Sequence, residues 1–145
     1  MNIKVLEDLN LEEVTIEAGT AILEQGKKTS KVYVLISGSV EIRASKQHIA
    51  TVDTPGAILG EISALMGTEH VATAAPTEDS SFYVIEEFSD FMFKHPEACL
   101  SVAQVLACRL VNMNNHLVHI KEQIVKLQEQ LDNYLPVFPE NFQQD

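Results

Sequence analysis

The residues best suited to chemistry lie in one stretch, Pro55 to Thr73, which reads PGAILGEISALMGTEHVAT. Gly56 and Gly60 permit tight turns, and Glu61-Ile62-Ser63-Ala64-Leu65-Met66 suffices for about one and a half helical turns before Gly67 ends them. Backbone N–H groups at the start of such a short helix have no intrahelical partner and point outward, so they form an anion cradle that needs no lysine. A phosphate is its natural guest. Glu61, beside the cradle, can accept hydrogen bonds from a sugar hydroxyl. The plainer role for the same carboxylate is to complement the positive end of the helix dipole.

Other reactive side chains show no such organisation. His48, His116 and His119 share no metal-ligand spacing with carboxylates, and His116 and His119 read as surface residues of a helix. Cys99 and Cys108 fall in one predicted helix, nine positions apart, and at ~100° per residue they point to opposite sides, which excludes a disulfide between them. Neither a nucleophile-histidine arrangement nor a catalytic carboxylate pair emerges from spacing. The sequence predicts no enzyme activity, no metal and no cofactor.

The elements that must hold the stretch change character along the chain. Up to Ile85, short β-branched runs alternate with turn signals: Val14 to Ile16, Ala21 to Leu23, Val32 to Ile36, Val40 to Arg43, Ile49 to Val52, Val71 to Ala74 and Phe82 to Ile85. Many short strands at close spacing predict an antiparallel sandwich or barrel. Val32-Tyr33-Val34-Leu35-Ile36 suits a strand covered on both faces, and Val40-Glu41-Ile42-Arg43 a half-exposed one. Ser37-Gly38-Ser39 between them reads as a hairpin turn.

From Glu86 the pattern turns helical. A short helix is expected over Glu86 to Lys94, and Pro96 suits the first turn of a second. In that second helix Leu106, Leu110, Met113, Leu117, Ile120, Ile124, Leu127 and Leu131 follow one another at alternating gaps of four and three, an unbroken heptad seam. From Pro96 to Leu131 the helix would run ~54 Å at ~1.5 Å per residue, against ~30 Å for a domain of this size. Its distal half therefore needs a partner, and a second copy is the simplest, so the seam predicts a coiled-coil homodimer. The organisation expected is a β domain with short helix over 1–95, the long helix over 96–131 and an irregular tail over 132–145.

At this point the stretch resembles the phosphate-binding cassette of the cyclic-nucleotide-binding domain family, the family of bacterial catabolite activators and of the regulatory subunit of cyclic-AMP-dependent protein kinase. AGTAILEQGKKTSKVYVLISGSVEIR is similar to that family's opening strands, and FSDFMFKHPEACLSVAQVLACRL to its two following helices. The resemblance implies a mainly β fold with flanking helices: an eight-stranded antiparallel jelly-roll barrel, a short helix, and a long C-terminal dimerisation helix. It implies that Gly60 and Glu61 hold the phosphate and the ribose 2′-hydroxyl, with Ile62 between them and the small residue Ser63, whose amide also faces the phosphate. The family then places an arginine, a small residue and Ala-Thr. Here Ala72-Thr73 match, but the arginine position holds His70 and Val71 follows.

Arginine carries a permanent charge in a fork that grips two oxygens, whereas histidine offers one donor and is mostly neutral at pH 7. Losing that contact typically costs ~2 to 5 kcal/mol, a factor of about 30 to several thousand in affinity. Two roles stay open for His70. In one it faces the ligand phosphate and binds best when protonated, giving a weak, pH-sensitive site for cyclic AMP or cyclic GMP. In the other it is a strand residue in a pocket that takes no cyclic nucleotide, and the chain is a dimeric scaffold. Lys27, Lys28 and Lys31 either add compensating charge or form a solvated turn. For the base, the resemblance points to a polar pair a few residues after Arg109-Leu110, where Met113-Asn114 stands and Asn114 alone can hydrogen-bond.

The chain's 145 residues have room for one domain, and 46% of them are apolar, enough to fill its core. Ten Lys and Arg against 21 Asp and Glu give a net charge of −11, a field that repels nucleic-acid backbones and anionic lipid. No apolar run reaches the roughly 18 residues of a membrane span, and MNIKVLEDLN lacks the order of a secretory signal. The residues after Leu131 are too few for the DNA-binding helices of bacterial activators. The expectation is a cytoplasmic, non-enzymatic signal-transduction module that senses a cyclic nucleotide and signals to an unidentified protein partner, with no DNA and no membrane contact.

Overall fold

The computed structural model of the chain describes residues 6–134. Among them seven strands form: β1 Glu12–Ile16, β2 Val32–Ser37, β3 Val40–Ala44, β4 Gln47–Val52, β5 Ile58–Leu59, β6 Thr73–Pro76 and β7 Ser80–Ile85. They build two antiparallel sheets, one of order β1-β7-β2-β5 and one of order β4-β3-β6. Helix α1, Glu61–Met66, connects β5 to β6; α2, Phe88–Lys94, and α3, Pro96–Tyr134, follow the strands.

Alternation along the strands sorts residues between a core and the outside. Leu35, Val40, Leu59, Ala74 and Phe82 form a buried cluster with Leu23, and Tyr33 meets Phe82 edge-on with ring centroids 6.0 Å apart. The opposite face of β2 buries Val32 and Val34, as expected of a strand covered on both sides, and Phe88, Phe91, Ala98 and Val102 on the helices are buried too. Among the described residues, those up to Val105 form one compact unit and those from Leu106 another, and α3 contributes residues to each.

Four expectations are corrected. The eight-stranded barrel is instead two sheets with seven strands among the described residues. Ala21 to Leu23 contributes only an isolated bridge, Leu23 to Ala74, because left-handed turns at Gly19 (φ 82°) and Gly26 (φ 81°) confine it to a few residues. Secondly, Ser37-Gly38-Ser39 is no hairpin turn: β2 and β3 belong to different sheets, and the turn carries the chain from one to the other. At Gly38 (φ 105°) an added Cβ would lie 2.6 Å from the Ser80 Cβ, and the Ser80 hydroxyl accepts from the Ser39 N–H at 3.1 Å. Thirdly, the strand expected from Val71 starts at Thr73, leaving Val71 exposed in a bend, while Ile58–Leu59 pairs with β2 as a strand that periodicity over two residues does not reveal. Finally, α2 starts at Phe88 rather than Glu86, and α3 continues past Leu131 to Tyr134; the rest of the expected tail lies outside the described residues.

Candidate functional site

Helix α1 begins and ends on glycines in the left-handed region. Gly60 is its N-cap (φ 91°, ψ −3°) and brings no side chain to the first amides; Gly67 (φ 64°) closes it, its N–H donating to the Ser63 carbonyl. A Cβ on Gly60 would stand 3.0 Å from the Lys31 carbonyl oxygen and 3.3 Å from a Leu23 methyl, so the close approach as well as the positive φ requires glycine there. In the first turn Glu61 and Ser63 are buried, at 2% and 4% exposure. The Ser63 hydroxyl donates to the Thr68 carbonyl at 2.7 Å, and the Thr68 N–H returns to the Ser63 carbonyl at 3.2 Å. That side chain is thus spent on the turn after the helix, and what Ser63 can offer a ligand is its amide. The side chain of Ile62 is half exposed.

His70 is 5% exposed. Its ring Nε2 shares a hydrogen bond of 3.0 Å with the Thr29 hydroxyl, its N–H donates to the Lys27 carbonyl at 2.7 Å, and its carbonyl accepts from the Gly26 N–H at 2.9 Å. Burial pushes the imidazole below its ordinary value, so at pH 7 it is neutral. Farther on, the Gln25 N–H donates to the Thr73 hydroxyl at 3.0 Å. The segment from Leu23 to Lys31 therefore touches every part of the cassette: Gly60 through Leu23 and the Lys31 carbonyl, His70 through Gly26, Lys27 and Thr29, and Gly67 through Lys28, whose Nζ lies 3.7 Å from where a Gly67 Cβ would stand.

The sequence-derived residues thus divide. Gly60, Glu61 and Ser63 share one helical turn, and one loop ties them to His70. Val71, 73% exposed, turns its side chain outward. Asn114 is exposed on the part of α3 that belongs to the second unit. Thr29 escaped the sequence reading, because a hydroxyl forty-one positions from its partner leaves no local signal. A groove of about 460 Å³ is lined by Glu41, Arg43, Thr73 and Ala75, which alternate with core residues; Glu41 and Arg43 pair at 2.8 Å within it.

This combination of a two-sheet β unit, a glycine-bounded cassette helix and two following helices defines a ligand-binding regulatory fold. The cyclic nucleotide-binding domain family matches residues 13–95, and the chain belongs to that family. Among curated proteins it is 33% identical over 113 residues to the Pycsar effector protein XpPycTIR of Xanthomonas perforans, a match covering 76% of this chain and 37% of that one. The chain thus spans little more than a third of that relative's length. Among solved structures it is similar to the catabolite activator protein of Thermus thermophilus, with a TM-score of 0.68 and 24% identity over 83% of this chain and 60% of that one. It also resembles a protein solved in work on a cyclic-GMP-dependent signalling pathway that regulates bacterial phytopathogenesis, with a TM-score of 0.61 and 20% identity over 77% of this chain and 95% of that one. No helix among the described residues is long and apolar enough to cross a membrane.

Proposed function

We infer that the chain is a cytoplasmic, non-enzymatic sensor that binds cyclic AMP or cyclic GMP at the cassette and passes its occupancy to a protein partner. The observation that carries this reading is the intact cassette turn: left-handed Gly60, then buried Glu61 and Ser63 at the amide end of α1. The first-turn amides take the cyclic phosphate, and Glu61 accepts from the ribose 2′-hydroxyl. Ile62 and Val71 contribute main chain. His70, neutral and held by Thr29, replaces a permanent cation, so the site is weaker than one with arginine.

The chain acts as a homodimer through α3, a reading supported by the exposure of Leu110, Met113, Leu117, Ile120, Ile124, Leu127 and Leu131 along one seam. Free, exposed Cys99 and Cys108 suit a reducing compartment. The net charge of −11 argues against nucleic acid as the partner.

Thermal melts in the presence of cyclic AMP, cyclic GMP and the matching nucleosides test the reading. A ligand at a hundredfold excess over its Kd adds ~2.7 kcal/mol of stability, which raises Tm by several degrees. The expected result is a rise with at least one cyclic nucleotide. Unchanged melts at millimolar concentrations of both favour the ligand-independent scaffold instead.

A further inference from the structure

The cassette lacks its permanent cation at residue 70, yet the loop that encloses it carries three lysines, and the structure separates their roles. Lys27 pairs with Glu24 at 2.8 Å. Lys31 pairs with Glu86 at 2.7 Å, and that hydrogen bond raises its pKa. Lys28 has no carboxylate partner among the described residues; its ammonium instead reaches across to the cassette, 3.7 Å from the position of a Gly67 Cβ. Both neighbours of Lys28 are bonded to His70, Lys27 through its backbone carbonyl and Thr29 through its side-chain hydroxyl. Gly67 is bonded back to Ser63 of the same short helix, whose first turn offers its amides to a phosphate on the reading above. The lysine ammonium sits on a flexible four-carbon stem.

We propose that Lys28 is the specificity-determining cation of this site, the group that makes it prefer an anionic cyclic nucleotide over the corresponding uncharged nucleoside. This rests on the cyclic-nucleotide reading above. The ammonium rests by Gly67 at the carbonyl end of α1, where a positive charge is favoured by the helix dipole. With an anion on the first-turn amides it swings toward the phosphate, while Thr29 keeps the His70 ring oriented. Lysine thus restores charge but not the two-pronged grip of arginine, so the site recovers part of the lost affinity.

Equilibrium binding of cyclic AMP, cyclic GMP, adenosine and guanosine to the full chain, compared with Lys28→Gln, Lys28→Arg, Lys27→Gln and Lys31→Gln, decides the matter. Lys28→Gln should weaken the preferred cyclic nucleotide about tenfold, or ~1.4 kcal/mol, and leave the matching nucleoside within twofold. Lys28→Arg should restore binding, and the other two variants should match the wild type. Equal binding by wild type and Lys28→Gln overturns the role of Lys28 while the sensor reading stands. Equal weakening of nucleotide and nucleoside shows a merely structural lysine and overturns it as well. Failure of the wild type to bind either cyclic nucleotide overturns the sensor reading itself, and the lysine's role with it.

Discussion

Replacing one arginine by His70 changes more than a charge. Arginine would stay protonated at any pH the protein meets, whereas the buried imidazole is pushed below its ordinary value near 6.5 and is neutral when folded. In the unfolded chain it regains that ordinary value. Between the ordinary and the lowered value the unfolded state binds more protons than the folded one, so stability falls as pH falls through that window and is fully present above it. Denaturant midpoints from pH 7.5 down to pH 5 should therefore drop more steeply for the wild type than for His70→Gln, which cannot take up a proton; parallel curves would show that His70 is not the group that titrates. On the proposed reading a phosphate facing His70 favours the protonated ring, so ligand binding is expected to tighten on acidification. The substitution itself was legible, since Ala72-Thr73 fix the register of the motif around it. Its partner was not: Thr29 reaches His70 only because Leu23–Lys31 folds back along 70–74, a contact set by tertiary structure.

At the scale of elements, periodicity succeeded where the apolar pattern is long. Val32 to Ile36 and the α3 seam could be read directly, because several residues repeat one register. It failed where two or three residues decide: β5 is a two-residue strand, Ala21 to Leu23 only a bridge, and the turn at Gly38 moves the chain between sheets without any change in its local signature. The close approach of Ser80 explains that turn, and no reading of Ser37-Gly38-Ser39 alone contains it. Helix α3 makes the clearest demand. Its seam residues from Leu110 to Leu131 are each at least half exposed in the single chain, more apolar surface than a lone helix keeps in water at no cost. Sedimentation equilibrium should give twice the chain mass at micromolar concentration, and Leu117→Glu with Ile124→Glu should return it to the monomer mass with the β-sheet signal unchanged. A wild-type monomer under the same conditions would refute the coiled-coil reading.

For the molecule as a whole, the two units divide the proposed work: a β unit whose cassette registers a ligand, and a helix whose free seam recruits a second copy. Membership of the cyclic nucleotide-binding domain family covers the first, and the chain spans 37% of the Xanthomonas relative's length. The proposed sensor takes a cyclic nucleotide at a cassette with His70 where the family carries arginine. Calorimetric titration of the purified chain with cyclic AMP and cyclic GMP, at pH 6 and pH 7.5, tests this most directly. Saturable heat is expected with one of them at both pH values, tighter at pH 6; a folded protein that gives no heat up to millimolar ligand at either pH would contradict this.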